Sequence, residues 1–546
     1  MKKHLNVELD QRKAKVLYCG EEEPPEHVKA ACAKAGLPSP SNEVKLLGSI
    51  ISSLHESYEN FGMQQKAKVV DILDRLKHKN ITLQNRLNII RFCVVARFNY
   101  VSRTLPPNLI DSALGEVDCE IREALHDLLD STPQERANHL INQQMALPLR
   151  FGGFGTRKLR GYSALAAYCA NIASASHLIL EERQKRGIDH TSTDQVIEQA
   201  LTTLEKDHGV TLDDKVVPSL RKLAEEKITP IAFFARTLKD GGGKVQHTLL
   251  KQMDQHARDQ LMHDYGGSTP DGNQHRARIK SLQNPTSRII YTIIPRDPSL
   301  RIRDDAIMVQ ARLRLGMTMH PNANVCSCGA MQSEDANAHM VKCRSNTAGW
   351  CHVHNRVVHT LARAASDVGY TAQVRDFTKM KQDHHVVPDL KILGDKLPIM
   401  VDVSFVAVNH DDYRDVDVKS KDPQARSAMR RETEKEKHYH GITRNGSCVF
   451  SPLVLERESL AIGPKSLALI NTIEAQSRGS GSLVHLTSFT IITRLLIAAC
   501  TGNAVLAREA RKKDARAEAG QYRHLIGGPA DEASSLSATF AAAHLQ

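Results

Sequence analysis

The stretch VVPDLKILGDKLPIMVDVSFV, residues 386–406, decides how this chain is read. Two runs rich in Val, Ile and Leu flank Gly394-Asp395, and apolar runs joined by turn-forming residues predict a β-hairpin. Pro388-Asp389 opens the first strand, and Ile399 to Val406 forms a Val-rich return strand. One carboxylate, Asp389, then stands at the start of the first strand, and a second, Asp402, lies within the next. Carboxylates so placed can share a hard divalent ion, typically Mg²⁺, that activates a water and stabilises a phosphoryl transition state. Taken alone, an Asp in a hairpin is more often turn chemistry or a surface residue.

Downstream, RETEKEKHYHGI (431–442) predicts a charged helix on which Lys435 and Tyr439 share a face at i and i+4, while Lys437 points elsewhere. A lysine beside two metal-binding carboxylates can stabilise negative charge developing on phosphate. The same run also fits a solvated mixed-charge helix. CVFSPLVLE (448–456) reads as a further buried strand and PKSLALINTIEAQS (464–477) as a further helix. Strands alternating with helices predict an α/β domain.

Upstream, Cys326-Ser-Cys328 is followed after ten intervening residues, the first of them Gly329, by His339 and, after three more, by Cys343. Two thiolates, an imidazole and a third thiolate suit tetrahedral zinc, and His339 and Cys343 at i and i+4 project from one face of a helix. Four protein ligands leave no open position for water, so this zinc is expected to be architectural. Cys351, His352 and His354 stand nearby as substitutes or a second partial site.

The N-terminal half reads differently. KAKVLYCG (13–20) and VKLLGSII (44–51) predict short buried strands. Three amphipathic helices follow between Ser52 and about Leu129, with Leu87, Ile90, Val94 and Phe98 at spacings of three and four. Arg86, Arg91, Arg97 and Arg103 flank that apolar stripe, either as a solvated face or as contacts to a nucleic-acid backbone. The turn RFGGFGTRK (150–158), with Arg157 and Lys158, could hold a phosphate on its backbone N–H groups, but it lacks P-loop spacing. A plain helix-entry turn is the expectation. Gly241 and Gly266 lie in linker-like runs where a domain boundary is expected.

Composition bounds these readings. The chain has 546 residues, 41% hydrophobic and 25% charged, enough for two to four domains. Its 73 Lys and Arg against 62 Asp and Glu leave a formal charge of +11, which favours polyanionic partners. Aromatic residues at 4%, with one Trp, argue against a base-stacking platform, so Lys and Arg contacts to phosphates are the better expectation. Eleven Cys are too sparse for a disulfide scaffold. The start, MKKHLNVELD, lacks an apolar h-region, and Arg494 interrupts the apolar run from Phe489 to Cys500, so neither a signal peptide nor a membrane span is expected.

Taken in order, these segments resemble the C-terminal part of non-LTR retrotransposon reverse transcriptase polyproteins of the lineage that carries a restriction-like endonuclease. LNVELDQRKAKVLYCG and VKLLGSII resemble the end of a polymerase palm, LQNRLNIIRFCVVARFNYVSRTLPP the thumb, and MALPLRFGGFG the turn after it. ARLRLGM leading into CSCG…HMVKC resembles the zinc knuckle, which precedes HNRVVHTLA and the PD…D hairpin. The resemblance implies a multidomain α/β chain: the end of a palm (1–51), a helical thumb-like region (52–165), a helical linker region (166–300), a zinc knuckle with its preceding helix (301–350), a PD-(D/E)xK-type restriction-like endonuclease domain (351–480), and a C-terminal helix with a disordered tail (481–546).

Carried over by position, Asp389 and Asp402 are the Mg²⁺ carboxylates, and Asp376 stands about where the family often has a glutamate. Ser404 occupies the place of the usual lysine; this lineage displaces the lysine onto a following helix, which makes Lys435, or secondarily Lys437, the candidate. The pairs Asp213-Asp214, Asp304-Asp305 and Asp411-Asp412 lack the aromatic residue and location of a polymerase two-metal turn, so reverse transcription by this chain alone is not expected. The implied function is Mg²⁺-dependent DNA nicking in the nucleus, with target DNA and element RNA as partners and no membrane. The alternative is a catalytically inert nucleic-acid-binding remnant of the same element.

The ligand spacing makes a direct prediction. Purified protein should carry one equivalent of zinc by atomic absorption, and His339→Ala should lose most of it; zinc content unchanged in that variant would exclude His339 as a ligand.

Overall fold

The computed structural model describes residues 14–20, 22–78, 80–187, 191–212, 214–238, 243–266, 270–319, 347–375, 387–394, 396–408, 425–444, 446–479 and 486–526. They are mostly helical, with one two-stranded and one four-stranded sheet, a multidomain α/β architecture. The chain divides into two interleaved units: Met1–Ile81, Ile89–Leu125 and Gly155–Gln260 form one, and Thr82–Asn88, His126–Phe154 and Leu261–Gln546 form the other.

The first unit departs from the strand expectations at its N-terminal end. KAKVLYCG forms no strand among its described residues, only an isolated bridge from Leu17 to Ser41. VKLLGSII is two strands instead of one, β1 (Glu43–Leu46) and β2 (Ser49–Ser52), paired antiparallel. The chain reverses at Leu47 and Gly48, with φ of 50° and 82°, the doubly left-handed turn that matches strand twist in a tight hairpin. Glycine accepts that conformation freely, while Leu47 adopts it at some cost with its side chain 85% exposed.

The helical expectations match better. Helices α1 (His55–Leu76), α2 (Val95–Thr104) and α3 (Asp111–Leu128) follow the apolar spacing. Leu87, Ile90, Val94 and Phe98 are all buried. Helix α4 (Ala164–Arg186) packs on α2 and on α6 (Pro230–Thr237). Its Ala166, Ala170 and Ala173 face a core that also holds Ile197, Leu201 and Leu204 around α5 (Thr191–Thr202). Small side chains allow this close helix approach at native packing density.

In the second unit the sheet order is β3 (Thr371–Val374), β4 (Leu390–Leu393), β5 (Ile399–Val406) and β6 (Val449–Glu456). β4 runs antiparallel to both β3 and β5, and β6 is parallel to β5. The expected hairpin around Gly394 is therefore present, with Leu390 opposite Val401. Val401, Val403, Leu453, Val454 and Leu455 are buried, as the apolar run of a covered parallel pair requires. The buried helix α7 (Asp304–Leu315) joins this unit. So do α8 (Thr347–Asp367), packed on β3 to β5, α9 (Arg426–Thr443), the crossover that packs on β5 and β6, and α10 (Pro464–Gly479), packed on β6. Helix α11 (Ser488–Ile526) packs along α8 and against α7, which ties the C-terminal helix to the unit that carries the sheet.

By length and composition the stretches Leu159–Arg186 and Ser488–Arg508 could each cross a bilayer; 50% and 67% of their apolar windows are buried against other elements.

Helix α7 shows where part of the basic charge goes. Its ARLRLGM segment places Arg312 and Arg314 fully inside the unit. Arg312 donates to the carbonyls of Leu129, Asp130 and Thr318 and pairs at 2.6 Å with Glu135, whose other oxygen closes a capping box on Thr132. Arg314 donates to the carbonyls of Leu149, Gly153 and Ser287. Gly153 has no room for a side chain, since a Cβ would meet the Leu147 carbonyl oxygen at 2.0 Å. The RFGGFG turn is thus built into the packing by close backbone approach and arginine staples.

Removing a buried ion-pair partner leaves the other charge stranded, at about 3–5 kcal/mol. Arg312→Ala should destabilise the second unit by that order in denaturant titration. Arg312→Lys should recover little, because an ammonium cannot reproduce the planar fork.

Candidate active site

The β4–β5 register builds the site. Leu390 faces Val401, so the next residues outward, Asp389 and Asp402, are directly opposite and lie on one face of the sheet. Both carboxylates are buried, 6% and 5% exposed. Asp389 Oδ2 accepts hydrogen bonds from the Val403 N–H at 2.8 Å and from His354 Nε2 on α8 at 3.0 Å. Asp402 Oδ1 accepts one from the Tyr439 hydroxyl on α9 at 2.6 Å. Its Oδ2 lies 2.7 Å from Lys435 Nζ in an ion pair, yet no hydrogen-bond donor is directed at it.

The crossover helix α9 is locked in place around these contacts. Glu432, Lys435 and Tyr439 sit at i, i+3 and i+7 and so share one helical face. The buried Glu432 accepts the Lys465 and Ser466 N–H groups at 3.2 and 2.8 Å, capping the start of α10. Gly463 makes this possible, because a Cβ there would lie 2.1 Å from Glu432 Oε1. At the other end of the face, the Tyr439 ring stacks on Phe450 of β6 with centroids 4.4 Å apart. The lysine and the tyrosine therefore approach Asp402 from a helix anchored on both sides.

Electrostatics follow from this crowding. Burial, then the hydrogen bond to Asp402 and the negative charge of both aspartates, holds the Tyr439 hydroxyl well above the ordinary phenol range, so it remains a proton donor. At His354, burial is the largest single influence and would lower the pKa. The hydrogen bond and charge of Asp389, with Asn355 and Asp402, outweigh it and raise the imidazole above its usual value.

Of the residues singled out from sequence, Asp389, Asp402, Lys435 and Tyr439 come together. Lys437 is exposed on α9, away from them. Asp376 and the zinc set Cys326, Cys328, His339 and Cys343 lie outside the described residues. Ser404, in the place of the lysine that the resemblance implies, accepts a hydrogen bond from Arg431 Nε at 3.1 Å.

The basic residues proposed to meet nucleic acid divide in their surroundings. Lys158 is exposed, while Arg86 and Arg97 are half-buried. Arg103 is exposed and donates to Gln246 at 2.7 Å. Arg157 makes a two-pronged pair with the fully buried Asp254, both contacts 2.9 Å, which commits its guanidinium inward. The acidic pair Asp304-Asp305 also has structural work: Asp304 caps the Leu83 N–H, and Asp305 pairs with Arg303 and Arg508.

His354, which in the chain stands beside the zinc-ligand candidates, carries no sequence mark as a partner of Asp389, because the local spacing of a helix does not tell which strand it will face.

Among the described residues no three His, Cys, Asp or Glu side chains converge on one point. The two aspartates nonetheless suit Mg²⁺, which is commonly held by one or two carboxylates with waters and substrate phosphate completing its shell. Asp402 Oδ2, buried and held only by its ion pair with Lys435, is the oxygen such an ion would share with that lysine. Compared with known protein families and with curated proteins, the chain matches none of them.

The Tyr439 hydroxyl can be tested separately from its ring. Tyr439→Phe keeps the stack on Phe450 and leaves a buried Asp402 oxygen without its donor, a loss of about 1–3 kcal/mol. Thermal unfolding should show that loss, whereas Lys437→Ala should melt like the parent.

Proposed function

We propose that the second unit is a metal-dependent DNA endonuclease of the PD-(D/E)xK type, within a chain derived from the nuclease-bearing part of a non-LTR retrotransposon polyprotein. The observation that carries this reading is the in-register pair Asp389 and Asp402 with Lys435 at 2.7 Å from Asp402 Oδ2. Strand register, crossover helix and buried charge all converge on one small cluster, which is more than packing alone requires.

In this reading Asp389 and Asp402 hold Mg²⁺, which when bound supplies an activated water and a positive charge on the scissile phosphate. The chain's own residues do the rest. Lys435, on the same helical face as Tyr439, offers a second cation to the charge that develops on the phosphate oxygens. Tyr439 keeps Asp402 in one orientation by donating to Oδ1, and Phe450 holds the Tyr439 ring. Burial of both carboxylates lowers the local dielectric, so each of these interactions acts more strongly than it would in bulk water. Exposed Lys158 and Arg103 fit phosphate contacts, which position nucleic acid without reading sequence. Zinc on Cys326, Cys328, His339 and Cys343, DNA as the substrate and a nuclear location belong to the same proposal.

Nicking of supercoiled plasmid by zinc-loaded protein in Mg²⁺ tests it. The parent should nick; Asp389→Ala and Asp402→Ala should abolish nicking while retaining salt-sensitive DNA binding, and Lys435→Met should slow it on the order of 100-fold. Folded protein that binds DNA without cutting would replace this reading with an inert nucleic-acid-binding remnant.

A further inference from the structure

The two hydrogen bonds on Asp389 fall on one oxygen and come from two different elements. The Val403 N–H reaches Oδ2 from β5, just past the last ladder pair between β4 and β5. His354 reaches the same Oδ2 from α8, its side chain 25% exposed and that of Asp389 8%. Among the described residues no donor is directed at Oδ1. An aspartate's terminal torsion is broad and roughly two-fold, so one donor leaves the carboxylate free to swing about that contact. Two donors from a strand and a helix define its plane and decide which oxygen is presented.

We propose that His354 is a positioning residue for the metal site: together with the Val403 N–H it pins Asp389 Oδ2 and turns Oδ1 toward the divalent ion. This rests on the endonuclease reading, in which Asp389 is a metal ligand. The arrangement parallels the one at Asp402, where Tyr439 holds Oδ1 and leaves Oδ2 beside Lys435. Asp389 is thus anchored through Oδ2 from β5 and α8, and Asp402 through Oδ1 from α9, with its Oδ2 paired to Lys435. Partners that orient a ligand in this way are commonly worth ten- to hundred-fold in metal affinity.

The test measures Mn²⁺ binding to the full, zinc-loaded chain by electron paramagnetic resonance, which counts free ion and needs no turnover. The parent, His354→Ala, His354→Gln and Asp389→Ala are compared, with circular dichroism as the check on folding. His354→Ala should weaken Mn²⁺ binding by about ten- to hundred-fold. His354→Gln, whose amide N–H can reach the place of Nε2, should restore most of it, a rescue that a purely space-filling role would not give.

Parent-like binding by His354→Ala overturns the inference while leaving the metal site standing, provided Asp389→Ala has lost the ion. Should His354→Gln fold and bind as poorly as His354→Ala, the hydrogen bond is not what matters and the inference also falls. Equal binding by the parent and Asp389→Ala overturns the metal reading itself, and this inference with it.

Discussion

Antiparallel pairing of β4 with β5 in one register, Leu390 against Val401, is the constraint on which the candidate site depends. Side chains alternate across a strand, so a slip of a single residue would send Asp402 to the opposite face and separate it from Asp389. The register is held by burial: Leu390, Ile392, Val401 and Val403 fill the covered sheet and would be exposed by any shift. Helix α9 then has to return between β5 and β6, because two neighbouring parallel strands need a crossover. That crossover brings Lys435 and Tyr439 onto Asp402. Hydrophobic alignment thus places the polar groups, and those groups need no mutual attraction to find one another.

Charge in this protein is used in two ways, and the sequence total does not separate them. Arg312, Arg314 and Arg278 are fully buried and hold carbonyl oxygens of distant segments, and burial pushes Arg314 down to about 10. Glu456 and Glu458 are buried as well: Glu456 accepts from Ser459 and the Ala428 N–H, and Glu458 from the Val408 N–H. Buried charges of this kind cost desolvation, and hydrogen-bonded geometry is what offsets it. Among the described residues four arginines and seven carboxylates are buried, so burial removes more negative than positive charge and the basic excess in the formal +11 stays on the outside.

Much of the local structure was legible. Alternating apolar runs around Gly394 announced β4 and β5, and three- and four-residue spacing announced α1 to α3, because both signals are one-dimensional consequences of burying one face. VKLLGSII was misread as one strand because its turn is made by Leu47 and Gly48 without Asn, Asp or Pro to mark it. The ARLRLGM arginines stand next to the knuckle-like segment in the chain, and nothing in their spacing tells that packing turns them inward. Lys435 and Tyr439 were visible as one helical face, yet the face they meet was not.

By itself the sequence determined the helices α1 and α3 and the strands β4, β5 and β6, and that Asp389, Asp402, Lys435 and Tyr439 occur where a hairpin and a following helix can present them. Periodicity and turn chemistry are local, and they survive in one dimension. Only the tertiary structure decided that His354 reaches Asp389, that Glu432 locks α9 onto α10, and that Arg157 turns toward Asp254. Those pairings join residues 35, 34 and 97 positions apart. Their partners are selected by how whole elements pack, and no spacing rule within one element carries that information.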